Sequence, residues 1–244
     1  MHNVLEAVNR SNQRGGRMLS VVDLVEAGTL SVNQTAWILE RVLHGSSWLV
    51  GARPGGAGKT TVMSAILAMV PGGTRVRLTN RGSGWSECPP GGCVVAYELS
   101  PGFYDAYVWG ADVARLTELG LAGCRIVSNL HADTLEQARE QIVSECGASE
   151  RGFRAFDIFI PLALDHSRRG YTPTVRHIDY VCEARWCRLE RGELERPNVA
   201  EARWISAALR IAAFLKRCIS SNLRLIEDVR EAWLDWCACS DPPL

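Results

Sequence analysis

Residues 47–70 constrain the fold more than any other part of the chain, because they place a glycine-rich loop directly between two apolar runs. The first run, Ser47–Val50, is typical of a short buried strand, and the second, Val62–Val70, of an apolar helix. Residues 51–61, which we call the glycine loop, join them and read Gly-Ala-Arg-Pro-Gly-Gly-Ala-Gly-Lys-Thr-Thr. A strand that turns into a helix through such a loop predicts an α/β protein.

The composition of the glycine loop also predicts a phosphate-binding site. Successive backbone N–H groups can surround a phosphate only where side chains stay out of the way, and the following helix N-terminus adds its dipole. Lys59 would then reach the β- and γ-phosphates of a nucleotide, and the Thr60 hydroxyl would hold Mg²⁺. The alternative is a glycine turn that opens a helix without any ligand. The expected cofactors are ATP and Mg²⁺, and the predicted binding residues are Gly55, Gly56, Ala57, Gly58, Lys59, Thr60 and Thr61.

One position in the loop departs from the pattern G-x-x-x-x-G-K-[ST], since Arg53 stands where the first glycine is expected. Pro54 confines Arg53 to extended backbone, which is compatible with a turn at this point. The lysine that follows is unusual for this chain, because only Lys59 and Lys216 among the 27 basic residues are lysines. Codon bias in a GC-rich genome would explain the surplus of arginine, but lysine is a compact point charge that arginine does not replace at every site.

The composition excludes several other classes of protein. The 27 basic residues balance the 27 acidic ones, so no overall field draws the chain to nucleic acid. No apolar run approaches the roughly 18 residues of a membrane span, and the first residues do not resemble a signal peptide. The nine cysteines include no Cys-x-x-Cys pair, which favours buried free thiols over a disulfide framework or a zinc site. We expect a protein of the reducing cytoplasm.

Apolar periodicity divides the chain into three predicted segments. Residues 1–44 form an N-terminal lead-in with helices, of which residues 1–18 show little periodicity and are expected to be loosely ordered. Residues 45–190 alternate strands and helices, which predicts a mainly parallel sheet followed by an antiparallel edge. Residues 191–244 carry helical patterns only and form a C-terminal helical appendage.

Within the core, three local predictions bear on the site. The apolar pattern predicts a helix over Tyr104–Leu119 and one strand over Thr174–Val181. Asp133 with Glu136 predicts a capping box for a helix that runs to about Glu145.

Three further segments resemble one family, the type II/type IV secretion and pilus-assembly ATPases, which have a RecA-like core. Ser128–Ala138, with its Asn-Leu-His-Ala, is similar to the family's histidine box. Val21–Leu30 and the helix and strand after it resemble the approach to the nucleotide loop, and Phe156–Leu162 with Val175–Ile178 resembles the closing hairpin. The resemblance covers about residues 20–190.

The resemblance implies two catalytic residues. Cys93–Glu98 corresponds to the Walker B strand, so Glu98 would order Mg²⁺ or polarise the attacking water. His131 would sense the γ-phosphate. The alternatives are that Glu98 is a solvated strand end and that His131 caps the next helix, although Asp133 is expected to serve as that cap.

The chain also departs from the family. Tyr97 replaces the glycine before the Walker B glutamate, and Thr79-Asn80-Arg81 stands where an acidic box is expected. Residues 1–44 are too short for the domain that covers the nucleotide in the family, and the four-cysteine zinc insert is absent. Four arginines could each approach a phosphate, but a solvated surface arginine is the ordinary interpretation of each, so no arginine finger is assigned. They are Arg53, Arg75, Arg77 and Arg81.

Three hypotheses for function follow. In the first, the chain is an ATPase that assembles into a homo-oligomer, a hexameric ring by resemblance, and drives secretion or pilus-apparatus proteins at the inner face of the membrane. In the second, it is a scaffold that binds nucleotide with little or no hydrolysis. In the third, it is a small-molecule kinase, which would need an acceptor site and a mobile lid. Arg168-Arg169-Gly170 lies in a predicted turn, but the histidine box argues against this hypothesis.

Overall fold

The central feature of the computed structural model is one mixed sheet, described here for residues 3–12, 15–79, 88–165, 172–191 and 202–239. Within these ranges nine strands take part, in the order β2-β3-β5-β1-β6-β8-β9, with β4 beside β3 and β7 beside β6. The strands are β1 Trp48–Gly51, β2 Val76–Thr79, β3 Cys93–Leu99, β4 Tyr107–Val108, β5 Arg125–Leu130, β6 Ile158–Asp165, β7 Thr172–Val175, β8 His177–Cys182 and β9 Arg185–Glu190.

The sheet is parallel in its centre and antiparallel at one edge. Strand β1 pairs in parallel with β5 and β6, and β3 pairs in parallel with β2, β4 and β5. Strands β7 and β8 run antiparallel to β6, and β9 runs antiparallel to β8. The predicted α/β class, with a mainly parallel sheet and an antiparallel edge, is confirmed.

Helices cover both faces of this sheet, as a parallel sheet requires. One π-helical turn, Glu140–Glu145, continues α6. The helices are α1 Val4–Arg10, α2 Val21–Glu26, α3 Val32–Leu43, α4 Lys59–Leu67, α5 Ala111–Leu121, α6 Leu135–Arg139, α7 Glu150–Phe153, α8 Ala202–Ser220 and α9 Ile226–Cys239.

Two apolar clusters pack against the two faces. One joins the sheet to α1–α4, α8 and α9, and the other joins it to α5–α7 and the π-helical turn. Alternate residues of β1 divide between them, since Trp48 and Val50 belong to the first cluster and Leu49 to the second. The helices of segments 1–44 and 191–244 therefore share one core with the sheet, and the helical N-terminal and C-terminal regions are as predicted.

The C-terminal helix α9 closes the far end of α4. The Arg230 guanidinium donates hydrogen bonds to the Ala68 and Val70 carbonyls, and Trp233 Nε1 donates to the Met69 carbonyl at 2.6 Å. These bonds satisfy carbonyls that the end of a helix leaves without partners. The helix that follows the glycine loop is thus fixed at its C-terminus by a helix distant in sequence.

The structure corrects three local predictions. Residues 1–18 are not loosely ordered throughout, because the Asn3 side chain caps α1 and its Val4, Ala7 and Val8 are buried. The helix expected from Tyr104 begins at Ala111, since β4 precedes it. The single strand expected over residues 174–181 is two strands, β7 and β8, which separate at Arg176.

The capping prediction for α6 is also wrong. The N-cap is Thr134, whose hydroxyl accepts a hydrogen bond from the Gln137 backbone N–H. Asp133 is used elsewhere, since its Oδ1 accepts from the Arg53 backbone N–H at 2.7 Å. Asp133 thus stabilises the glycine loop rather than the helix behind it.

Candidate functional site

The glycine loop lies at the carboxyl end of β1 and leads straight into α4. Gly56 and Gly58 have φ angles of 81° and 85°, a region that residues with side chains rarely occupy, so these positions of the loop favour glycine. Gly58 is the N-cap of α4 and makes no side-chain capping bond. The first N–H groups of α4 are therefore available to an anion, as they are at other helix N-termini.

Arg53, the departure from the glycine pattern, takes part in the loop through its backbone. Its N–H donates to Asp133, and its carbonyl accepts from His131 Nδ1 at 2.9 Å. The Arg53 side chain is 62% exposed and its Nε lies 4.0 Å from Asp133 Oδ2. Neither contact requires a glycine, which explains how the turn is formed with arginine at this position.

Lys59 is the buried cation of the site, with a side chain that is only 7% exposed. Its Nζ lies 3.8 Å from Glu98 Oε1 and 3.4 Å from His131 Nδ1. Burial lowers the pKa of the Lys59 ammonium, and the nearby Glu98 carboxylate offsets part of that effect. A buried ammonium with only partial compensation is stabilised by any further anion that reaches it.

Glu98 and His131 come from two neighbouring parallel strands. Strand β5 lies between β1 and β3, so the ends of all three strands meet at one edge of the sheet. The pairing of β3 with β5 shifts register between Ala96 and Leu99, an irregularity of the kind that redirects a side chain. Glu98 Oε1 lies 2.6 Å from His131 Nε2. The histidine ring thus joins the Arg53 carbonyl to the Glu98 carboxylate.

Asn129 is a polar residue of the site to which the sequence patterns assigned no role. Its side chain is fully buried, and its Nδ2 donates to the Tyr97 carbonyl at 2.6 Å and lies 3.4 Å from Thr60 Oγ1. Its Oδ1 is buried and has no partner among the described residues. The available signal was a buried asparagine in the predicted strand, because such an amide is rarely buried without a polar neighbour.

Tyr97, which stands where the sequence resemblance led us to expect a glycine, connects the site to α1. Its hydroxyl donates to the Ala7 carbonyl of α1 at 2.9 Å, and its ring belongs to the apolar cluster under α1. A glycine at position 97 could make neither contact. Tyr97 therefore helps to hold α1 in place, where this helix packs on α4 and β2.

These residues surround a cavity of about 410 Å³, within the range of small-molecule sites. All the residues predicted to bind the nucleotide line it, together with both predicted catalytic residues. Tyr107 and three N-terminal residues complete the lining, and sequence reasoning missed these four. The lining residues are Ser11, Asn12, Met18, Gly55, Gly56, Ala57, Gly58, Lys59, Thr60, Thr61, Glu98, Tyr107 and His131.

The oxygen donors of the cavity fit a magnesium ion. Mg²⁺ prefers carboxylate and hydroxyl oxygens and retains several waters and phosphate oxygens, so one or two protein ligands suffice. Thr60 and Glu98 both line the cavity and supply such oxygens. The described residues contain no group of three or more His, Cys, Asp and Glu side chains placed to hold a metal by themselves. A metal held jointly with a phosphate is compatible with both observations.

Other carboxylates are less well placed. Asp105 and Asp112 do not line the cavity, and Asp112 pairs with Arg115 at 3.3 Å. At the position of the expected acidic box, the Thr79 side chain is buried and its hydroxyl donates to the Val95 carbonyl at 3.3 Å. Asn80 and Arg81 lie outside the described residues, as do Arg168, Arg169 and Gly170. Of the described carboxylates, Glu98 lies 3.8 Å from the Lys59 ammonium and acts on it most strongly, and the charge of Asp133 adds a weaker effect.

Comparison with known proteins gives limited further information. No family model matches the chain, and no curated protein matches it. A solved structure of the VirB11 ATPase from the Brucella suis type IV secretion system, in complex with sulphate, is similar over 74% of this chain and 56% of that one. The identity is 13% and the TM-score 0.42. The chain thus spans little more than half the length of that protein. None of the described helices combines the length and apolar character needed to cross a membrane.

Proposed function

We propose that the protein binds ATP with Mg²⁺ on a RecA-like core and hydrolyses it. The observation that carries this proposal is the convergence of Lys59, Glu98 and His131 at the mouth of the glycine loop. Three titratable side chains from three separate elements meet within 4 Å there, beside a helix N-terminus with available N–H groups. Such a combination suits phosphoryl transfer, which depends on positioning and on charge stabilisation.

The first role in this proposal is to hold the phosphates. The N–H groups of residues 55–60 and the N-terminus of α4 would surround the β-phosphate, and Lys59 would contact the β- and γ-phosphates. The lowered pKa of Lys59 favours this assignment, because the phosphate charge restores the ammonium that burial disfavours. The Thr60 hydroxyl would hold Mg²⁺ and Glu98 would order the waters around it, and the metal when bound neutralises charge on the phosphate oxygens.

The second role is to direct water at the γ-phosphate. Glu98 is shared between Lys59 and His131 in the structure, so a phosphate that attracts Lys59 leaves the carboxylate to orient a water molecule. The water oxygen forms a bond to the γ-phosphorus, the bond from that phosphorus to the ADP oxygen breaks, and Glu98 accepts the water's proton. His131 would sense the γ-phosphate, and a shift of its ring would move the glycine loop, since His131 Nδ1 is bonded to the Arg53 carbonyl.

A second candidate function is a scaffold that binds ATP and turns it over little. The observation that favours it is Thr79, which fills the position of the acidic box with a buried hydroxyl engaged by Val95. A missing carboxylate at a catalytic site removes charge stabilisation but leaves the glycine loop and Lys59 intact. Binding and turnover are thus separable properties of this chain.

The wider role rests on the sequence resemblance alone. We propose that the chain assembles into a hexameric ring in the cytoplasm, peripheral to the inner face of the membrane. Hydrolysis at subunit interfaces would then drive a pilus or secretion apparatus. The histidine box and the closing hairpin support this assignment, and analytical ultracentrifugation with and without ATP tests the ring.

The decisive experiment measures binding and phosphate release separately on the purified chain. Equilibrium titration with ATP and Mg²⁺ gives the affinity, and release of inorganic phosphate gives turnover. Binding with release supports the ATPase, and binding without release supports the scaffold. Formation of ADP without release of inorganic phosphate, and only after addition of a phosphate acceptor, would favour the kinase hypothesis, because the γ-phosphoryl group then goes to the acceptor. Absence of binding would overturn the phosphate site.

A further inference from the structure

We infer that Asn129 is a positioning residue that links the metal side of the cavity to the Glu98 carboxylate. The inference rests on the proposed function, in which the Thr60 hydroxyl holds Mg²⁺ and Glu98 orients water. The Asn129 amide contacts Thr60 and the residue directly before Glu98. Its side chain is fully buried and does not line the cavity, so it would act through these neighbours.

The orientation of the Asn129 amide follows from its closest contact. The atom that lies 2.6 Å from the Tyr97 carbonyl oxygen must be a donor, because a carbonyl oxygen can only accept a hydrogen bond. This atom is therefore Nδ2 and not the amide oxygen. Tyr97 uses one of the two hydrogens on Nδ2, and the second hydrogen remains for another acceptor.

The acceptors left for this second hydrogen belong to α4. Thr60 Oγ1 lies 3.4 Å from Nδ2 and Met63 Sδ lies 3.8 Å from it, on the first turn of the helix. The hydroxyl oxygen is the stronger acceptor of the two, and contacts of this length around a reacting group often shorten when a ligand binds. A hydroxyl oxygen has two lone pairs, so a bond from Asn129 takes one and leaves the other for a cation. The amide would thus fix how Thr60 faces the metal.

The contact with Tyr97 lies at the irregularity of the sheet that precedes the end of β3. Between Ala96 and Leu99, two residues of β3 stand opposite a single residue of β5, which is Asn129. The two residues are Tyr97 and Glu98. Such an irregularity leaves backbone groups outside the regular ladder, and the Asn129 amide satisfies the Tyr97 carbonyl. Because Glu98 follows Tyr97 directly, this bond fixes the backbone from which the Glu98 side chain projects.

The acceptor side of the amide supports a role beyond packing. Asn129 Oδ1 is buried and has no partner among the described residues. An unpaired buried oxygen is costly for folding, and an apolar side chain would fill this strand position without that cost. The amide is therefore explained by its donor contacts with Tyr97 and Thr60, which an apolar residue could not make.

Asn129 would thereby hold one residue of α4 and one residue of β3 in a fixed relation. Groups that orient a metal ligand influence metal affinity without contacting the metal themselves. The glycine loop, by contrast, makes no contact with the Asn129 amide among the described hydrogen bonds, apart from Thr60. The expected effect of losing the amide is therefore a weaker dependence of ATP binding on Mg²⁺, with the hold on the phosphates unchanged.

The test measures the affinity for ATP by equilibrium titration in Mg²⁺ and again in EDTA. We call the ratio of the two affinities the Mg²⁺ gain. Asn129→Ala should reduce the Mg²⁺ gain about tenfold, while the affinity in EDTA stays unchanged. A loss of affinity in EDTA as large as the loss in Mg²⁺ would overturn the inference, because the amide would then support the glycine loop and not the metal side.

The matched control is Ser128→Ala on the same strand. The Ser128 hydroxyl donates to the Ala96 carbonyl at 2.6 Å, so this variant also removes a side-chain hydrogen bond between β5 and β3. Neighbouring residues of a strand point to opposite faces of the sheet, so Ser128 faces away from α4. Both variants should lower the thermal unfolding temperature, and only Asn129→Ala should lower the Mg²⁺ gain. An equal fall of the gain in both would make Asn129 a structural residue and overturn the inference.

Asn129→Thr keeps the inference testable if Asn129→Ala fails to fold. Threonine has nearly the volume of asparagine and suits a strand, but its hydroxyl carries one hydrogen in place of two. It cannot serve Tyr97 and Thr60 together, so the Mg²⁺ gain should fall about threefold or more. A gain as large as that of the wild-type chain would overturn the inference.

The wild-type chain separates this inference from the proposed function. If it binds no ATP in either condition, the proposed function and the inference both fail. If it binds ATP more tightly with Mg²⁺ and releases phosphate, but the Asn129 variants keep the full Mg²⁺ gain, the inference alone fails.

Discussion

Two clusters of one cation, one carboxylate and one histidine lie at different places on the same sheet. At the carboxyl end of the parallel strands, Lys59 and His131 contact Glu98. At the antiparallel edge, Arg188 Nε contacts Asp179 Oδ1 at 2.8 Å, and His177 Nε2 lies 3.4 Å from Asp179 Oδ2. We call these the loop cluster and the edge cluster.

The clusters differ in which partner is buried. In the edge cluster the carboxylate is buried and the Arg188 side chain is 51% exposed, and the hydrogen bond to Asp179 raises the pKa of Arg188. In the loop cluster the cation is buried, and burial lowers the pKa of Lys59 despite the nearby Glu98. The edge cation is satisfied by its partner, whereas the loop cation is incompletely compensated. Only the loop cluster lines the cavity at the glycine loop.

This difference predicts the largest effect for Lys59→Ala. The substitution removes the only described ammonium that lines the cavity, so the affinity for ATP should fall more than about 100-fold, measured by equilibrium titration with Mg²⁺. Arg188→Ala should leave the affinity unchanged. Lys216→Ala is a second control, because Lys216 is the other lysine of the chain and is exposed on α8. An unchanged affinity in Lys59→Ala would refute the phosphate-loop assignment.

Glu98→Gln should separate binding from turnover. The amide keeps the shape of the side chain but accepts protons poorly, so phosphate release should fall about 100-fold or more while ATP affinity changes only a few-fold. The matched controls are Asp105→Asn and Asp112→Asn, which change carboxylates outside the cavity lining. If Glu98→Gln releases phosphate at the wild-type rate and one control does not, the catalytic carboxylate lies elsewhere.

The sequence was sufficient to predict the individual residues of the loop cluster, but not the contacts between them. The glycine loop, Lys59 and the strand before them follow from local composition, since a strand, a turn and a helix are set by neighbouring residues. The contact between Glu98 and His131 requires β5 to lie between β1 and β3, and periodicity does not specify strand order. The register shift before Leu99 likewise appears only when the two strands are paired.

The N-terminal helix α1 was missed for a different physical reason. Val4, Ala7 and Val8 do follow helical spacing, but a helix of seven residues is unstable by itself in water. Its stability comes from burial on α4 and β2 and from the Tyr97 hydroxyl, which are distant in sequence. The sequence marked Tyr97 only as a difference from the pattern that the resemblance led us to expect, because its partner Ala7 could not be identified from the sequence.

Asp179→Asn should affect stability and not binding. It replaces a buried carboxylate that compensates Arg188, so we expect the free energy of unfolding to fall by about 1–3 kcal/mol, less than for a fully buried pair because Arg188 is half exposed. Chemical denaturation measures this loss, and ATP affinity should not change. Asp235→Asn, an exposed carboxylate on α9, should change stability by less than about 0.5 kcal/mol. A loss of ATP binding in Asp179→Asn would remove the distinction between the two clusters.

The smallest expected effect is the dependence of ATP affinity on alkaline pH. Burial lowers the pKa of Lys59 from its ordinary value of 10.5, and a bound polyphosphate raises it again by opposite charge. Binding therefore takes up a proton wherever the pH exceeds the pKa of Lys59 in the free protein. ATP affinity should decrease about twofold to tenfold between pH 8 and pH 10, and calorimetry in buffers of different ionisation enthalpy should detect the proton.

The variant Lys59→Arg provides the control for this pH dependence. Its guanidinium stays charged throughout the range, so binding should be weaker at the crowded loop but independent of pH. The same lowered pKa also affects folding, since the cost of the buried ammonium is greatest below that pKa and disappears as the pH rises towards 10.5. Stability and ATP affinity should therefore change in opposite directions over this interval. A wild-type affinity that stays constant up to pH 10 would mean that Lys59 is as well compensated as Arg188, and the two clusters would then differ in position alone.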